Sequence, residues 1–158
     1  MNIKIVEKEA FYLIGKEADS NQTGYWIKEL WQEVDKNFSE ILKFAKKDKD
    51  GSIAGIWGAM SDFSRAFLPW TNNYSEGLYM VGVEVNADSV APRGWTKWKI
   101  PGFKYLTVKV NDNYQDVFTN VITEYMPENK VRLIGAVQEY YCPKENMQLY
   151  LYFPYEKL

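Results

Sequence analysis

The sequence contains no histidine. That absence excludes Ser-His-Asp and Cys-His catalysis and the common zinc sites, and leaves carboxylates, Tyr, Lys and Ser/Thr as the acid-base groups. A single cysteine, Cys142, excludes an intramolecular disulfide and cannot build a thiolate metal site alone, so no metal or cofactor is expected. No apolar run approaches the length of a membrane span, and Lys4, Glu7, Lys8 and Glu9 interrupt any signal-peptide core near the start. The expectation is a cytoplasmic protein without membrane contact. Clustered positive charge is missing too: 19 Lys and Arg stand against 21 Asp and Glu, for a net charge of -2 and a pI near 5.3. Phosphate backbones are bound by concentrated Lys and Arg, so direct nucleic-acid binding is not expected.

What the sequence does have is rings. Aromatic residues make up 16%, from 6 Trp, 12 Tyr and 8 Phe, which is more ring surface than a core of this size needs. Some rings then line a cavity or groove; the alternative is an aromatic-rich core with an aromatic rim. The length of 158 residues, with 46% hydrophobic and 25% charged residues, fits one soluble globular domain over residues 1–158.

The stretch V-R-L-I-G-A-V-Q-E-Y-Y, residues 131–141, reads as a strand bounded by Cys142, Pro143 and Lys144. Alternation places Leu133, Gly135, Val137, Glu139 and Tyr141 on one face. If that face looks inward, Glu139 is a carboxylate among apolar neighbours, and a cation would be its natural complement. If it looks outward, Glu139 is an ordinary surface charge. In L-Y-M-V-G-V-E-V-N, residues 78–86, Glu84 is a second acid on a strand, open to the same two readings.

The remaining pattern predicts, in order, a strand within residues 3–18 centred on 11–15, an amphipathic helix over 27–45, and a strand over 53–61. A long loop over 62–77 carries Phe63, Phe67, Pro69, Trp70 and Tyr74, as a wall over a site or as core cover. After a linker at 87–94 come a hairpin of 95–100 and 103–110, a helix capped within 111–113 and stopped by Pro127, and strands 131–141 and 149–153. Both halves, about 1–90 and 91–158, thus show strand, helix, strand, strand. The expected fold is α+β: duplicated units forming one curved antiparallel sheet, with two helices on one face and a groove between them.

Four segments carry a resemblance: Y-M-V-G-V-E-V (79–85), I-P-G-F-K-Y (100–105), Q-E-Y-Y (138–141) and L-Y-L-Y-F-P (149–154). In their order and spacing the chain resembles the GyrI-like or AraC-type effector-binding domains, among them the stand-alone integron-associated effector-binding proteins. The resemblance implies a groove for hydrophobic, planar, cationic small molecules, with a glutamate facing the cation. The E-x-Y pattern of that glutamate falls on Glu139 and Tyr141. Two departures stand out: relatives that regulate transcription carry a separate DNA-binding domain, which has no counterpart in these residues, and the aromatic often found before the glutamate is Gln138.

The expected function is therefore a multidrug-type sensor or sequestering protein for aromatic cations. Its expected ligand-binding residues are Glu139, Tyr141, Trp57, Trp70, Trp31 and Glu84, with Phe67 as loop cover; each ring has a core alternative. A second class, implied by the resemblance, is a hydrolase opening the cyclopropane ring of DNA-alkylating natural products, with Glu139 or Glu84 as general base. A third is a protein-binding inhibitor without a small ligand.

Overall fold

A computed structural model describes residues 2–158 of the protein. Its strands are β1 (Ile3–Lys8), β2 (Phe11–Asp19), β3 (Ile56–Ser61), β4 (Leu78–Val85), β5 (Thr96–Ile100), β6 (Phe103–Lys109), β7 (Gln138–Cys142) and β8 (Gln148–Lys157). All join one antiparallel sheet in the order β1-β6-β8-β7-β3-β4-β2-β5. Exchanging β1, β2, β3, β4 with β5, β6, β7, β8 and reversing the order returns the same order, so the sheet has the topology of a pseudo-twofold pair of ββαββ units. The first strand of each unit crosses to the other: β1 pairs with β6, and β5 with β2. The expected hairpin at Pro101 and Gly102 is thus a crossover. Its two strands follow each other in sequence and lie at opposite sides of the sheet.

Helix α1 (Trp26–Lys36) buries Leu30 and Val34. The apolar period continues to Ala45, as expected, but the regular helix ends at Asn37. There the Asn37 amide donates to the Glu33 carbonyl at 2.9 Å and competes with the helical ladder. Two 3-10 turns, Phe38–Glu40 and Leu42–Phe44, carry Ile41 and Ala45 onto the sheet. Helix α2 begins at Tyr114–Asn120, capped by Asn113, whose side-chain oxygen accepts from the Asp116 N–H at 3.1 Å. It does not stop before Pro127: a π-helical turn, Val121–Tyr125, leads into Met126–Glu128. Proline lacks an N–H and its ring clashes with the carbonyl four residues back, and a widened turn accommodates both defects.

Register shows that both helices share one face. Leu151 pairs with Glu139, Glu139 with Gly58, Gly58 with Val81 and Val81 with Lys16, so these positions point to the same side. On that side α1 covers Ile14, Tyr79, Val81 and Val83, and α2 covers Leu106, Val108, Leu151 and Phe153. The opposite side carries another cluster: Phe11, Leu13, Trp57, Ala59, Met80, Trp98 and Ile100.

The expected strand 131–141 is regular only from Gln138. Upstream, the Ile134 N–H donates to the Pro154 carbonyl and the Ala136 N–H to that of Phe67. Pro154 has no N–H to extend a ladder, so residues 131–137 leave the sheet. Among the described residues no helix is long and apolar enough to cross a membrane.

Gly15 and Gly82 face each other across β2 and β4, and a Cβ on Gly15 would overlap the Val81 carbonyl. The backbones approach where a side chain cannot fit. Gly15→Ala is expected to cost about 2 kcal/mol or more, read as a lowered midpoint in urea unfolding; a shift below about 0.5 kcal/mol would contradict that close approach.

Candidate functional site

The sheet's centre lies where β7 meets β3, and their pairing is short: Ile56 with Tyr141, Trp57 with Tyr140, Gly58 with Glu139. Beyond Gly58 the Gln138 side chain takes over the ladder. Its oxygen accepts from the Met60 N–H at 2.7 Å and its amide donates to the Met60 carbonyl at 3.0 Å. The strands separate by a side-chain length there, and the fully buried Gln138 keeps both backbone groups satisfied.

Glu139 sits at this point, 6% exposed, on the helix-bearing face. Its Oε1 accepts from the Tyr79 hydroxyl at 2.5 Å and the Tyr141 hydroxyl at 3.1 Å, and its Oε2 from the Tyr114 hydroxyl at 2.6 Å. Trp31 Nε1 donates to the Tyr79 hydroxyl oxygen at 3.1 Å and fixes its direction. The Trp31 ring packs edge-on against Tyr141, with centroids 4.8 Å apart. Gly58 opposite makes room for this arrangement, because a Cβ there would overlap both the Tyr79 hydroxyl and Glu139 Oε1. Among the described residues no Lys or Arg forms an ion pair with Glu139. Burial pushes the Glu139 carboxyl above its ordinary range, and the three tyrosine hydroxyls pull it partly back. Burial likewise raises Tyr79 and Tyr114, and the neighbouring carboxylate adds to it, so both remain donors.

Glu139 forms part of the floor of a cavity of about 640 Å³ between the helices. Ile27 of α1 stands on one side; Tyr114, Gln115, Phe118, Thr119, Ile122 and Thr123 of α2 stand on the other. Met60 and Val137 complete the floor, and Pro69, Trp70, Asn73, Tyr74 and Ser75 form the lip. Trp70 is anchored by its Nε1 donating to the Leu78 carbonyl at 2.9 Å, and it stacks on Trp26 at 6.3 Å. Asn72, Asn73 and Tyr74 are all left-handed, with φ of 50, 57 and 62°. This tight turn places the Tyr74 ring against Phe118 at 5.3 Å. The groove's volume suits a small organic molecule, and its lining mixes apolar side chains and rings with Asn73, Ser75, Gln115, Thr119 and Thr123 around one buried acid.

Of the residues expected from sequence, Glu139 and Trp70 line this cavity, and Tyr141 and Trp31 stand behind the carboxylate. Parity separates the others. Trp57 pairs with Gly82 and shares the opposite face with Glu84. There Trp57 packs on Phe11, Tyr140 and Tyr152, and Glu84 pairs with Lys8 at 3.0 Å and Lys46 at 3.7 Å. Phe67 is buried against Trp98 on that same side. The 62–77 loop therefore does two things: Asp62 and Ser61 accept from the N–H groups of Ala66, Leu68 and Phe67, tucking Phe67 under the sheet, while Trp70 and Tyr74 reach the groove. Sequence reasoning missed Tyr79 and Tyr114. Tyr79 was detectable by parity with Val81 and Val83, and Tyr114 by its place in the first turn of α2.

Residues 4–154 match the profile of a family described as integron-associated effector binding protein. The chain is 25% identical over 167 residues to the transcriptional regulator BrlR of Pseudomonas aeruginosa, covering 98% of this chain and 55% of BrlR. It thus spans about half the length of that curated relative. The fold is shared with SAV2435 bound to tetraphenylphosphonium, with a TM-score of 0.69, 16% identity, and 99% of this chain and 94% of that one covered. It is shared with the C-terminal domain of EcmrR, at a TM-score of 0.65 and 14% identity over 99% and 98% of the two chains. An integron cassette protein from Vibrio cholerae has a TM-score of 0.57 at 16% identity over 99% and 97%.

The raised Glu139 carboxyl makes a prediction about the ligand-free protein. The folded state holds this proton more tightly than the unfolded chain, whose value stays near the ordinary 4.5. Stability from this group therefore falls as pH rises from that value through the folded one, and the cost is constant above it. Glu139→Gln removes the charge and keeps the shape, so the variant is expected to melt above the wild type at neutral pH. The gap should close as pH falls towards about 4. A wild type that melts higher at neutral pH would show that the hydroxyls outweigh desolvation.

Proposed function

The chain belongs to the family of integron-associated effector binding proteins, and we propose that its effector is a hydrophobic organic cation held in the groove between α1 and α2. The observation that carries this reading is Glu139: a buried carboxylate at the floor of a mainly apolar cavity, held by three tyrosine hydroxyls and by no Lys or Arg among the described residues. Withdrawing an ion from water costs several kcal/mol, and hydroxyl donors return only part of that cost. A cation entering the cavity completes the compensation. The groove thus stores in the free state the electrostatic demand that a ligand satisfies.

The rings add selectivity for the body of the ligand. Trp70, Tyr74 and Phe118 offer faces and edges around the opening, and a desolvated cation over such a face gains about 0.5–2 kcal/mol. The bound tetraphenylphosphonium in SAV2435, which shares this fold, is a cation of that size and polarity and supports the reading. The tyrosine cage has a further role. It keeps the carboxylate in one orientation before the ligand arrives, so little ordering remains to be done on binding.

Tetraphenylphosphonium and tetraphenylborate have the same shape and opposite charge, which isolates the carboxylate's part. The protein is expected to bind the phosphonium, followed by tryptophan fluorescence, and to reject the borate. Glu139→Gln should weaken the phosphonium by roughly tenfold or more, equivalent to about 1.4 kcal/mol, and relieve the rejection of the borate. Equal affinity of the wild type for both ions would overturn charge recognition, and binding of neither would overturn the groove as a site for such cations.

A further inference from the structure

The hydrogen-bond count at Glu139 narrows the class of cation, on the premise that the groove binds cations as proposed above. An ionised carboxylate offers about four acceptor positions, two on each oxygen. Oε1 has both filled, by the hydroxyls of Tyr79 and Tyr141. Oε2 has one filled, by Tyr114. Among the described residues no donor fills the other position on Oε2, and Glu139 lines the floor of the cavity. The three donors cannot be redistributed freely: Tyr79 is fixed by Trp31 Nε1, and the Tyr141 ring by the edge of Trp31. Oε1 and the Tyr79 hydroxyl together fill the space that a side chain at Gly58 would occupy.

We propose that the second acceptor position of Oε2 is a docking point for one N–H of a protonated amine, so that the preferred ligand class is an aryl-bearing ammonium ion retaining a proton on nitrogen. A quaternary ammonium or phosphonium fills the same cavity and feels the same charge, but it has no donor. Its charged centre stays behind a shell of carbon, farther from Oε2 than a hydrogen-bonded nitrogen at about 2.7–2.9 Å. In a cavity of low polarity that difference in distance is not levelled by solvent. The α2 wall extends the same preference along the ligand. Gln115 and Thr119 present amide and hydroxyl groups one turn apart, bonded to each other at 3.3 Å, at the edge of the cavity.

The test is a matched pair: an N,N-dimethyl arylalkylamine, protonated at neutral pH, and its N-methylated quaternary salt, titrated by calorimetry against the protein and two variants. The wild type is expected to bind the protonated amine at least tenfold more tightly than the quaternary salt. Glu139→Gln should abolish the preference. Tyr114→Phe, which removes the other donor to Oε2 and keeps the ring that stacks on Phe118, should open a second position there and strengthen a primary amine relative to the tertiary one. If the wild type binds the quaternary salt as well as the amine, the N–H docking point is overturned while cation binding stands. If Tyr114→Phe leaves the ranking of primary and tertiary amines unchanged, Oε2 is not the docking atom. If neither amine nor salt binds, the cation-binding reading falls with it.

Discussion

A carboxylate taken out of water must be re-solvated by the protein, and the centre of this sheet is arranged around that requirement. Three strands and a helix each send something to Glu139. Tyr79 comes from β4, Tyr141 from β7 itself, Tyr114 from α2, and β3 contributes the absence of a side chain at Gly58. Hydroxyls are suited to this work because each donates one hydrogen bond without bringing a charge. A lysine in the same place would have neutralised Glu139.

The cavity exists because two features of the backbone hold its walls apart. The pseudo-twofold topology puts one helix on each half of the same face, with β7 and β3 meeting between them. At that seam the Gln138 side chain replaces the backbone ladder after three residue pairs, so β7 diverges from β3 without leaving Met60 unpaired. The exchanged strands β1 and β5 then close the two units over each other at the outer edges. Backbone strain is concentrated at the lip, where three consecutive left-handed residues carry Tyr74 to Phe118.

Much of this was legible in the sequence where the signal was local. The period of Leu30 and Val34 marked α1, Asn113 marked the start of α2, and two-residue alternation put Glu139 and Tyr141 on one face. The pairing of the candidate residues was not legible to the same degree. Trp57 and Glu84 share one parity class across β3 and β4, but which class meets the helices depends on contacts far along the chain. Phe67 and Trp70 are three residues apart in one loop and end on opposite sides of the sheet, because Asp62 and Ser61 fold the loop by bonding its own N–H groups.

By itself, the sequence determined the chemistry on offer: no histidine, one cysteine, many rings, and an acid on a strand beside two tyrosines. It also determined many of the local elements, because helix period, caps and alternation are set by neighbours a few residues away. Only the tertiary structure decided that Glu139 faces inward, that Tyr79 and Tyr114 meet it, and that β1 and β5 cross between the units. Alternation fixes which side chains point together and leaves open which side is buried. That choice rests on contacts between residues such as Glu139 and Tyr79, 60 positions apart, whose meeting depends on the loop closures and packing of everything between them.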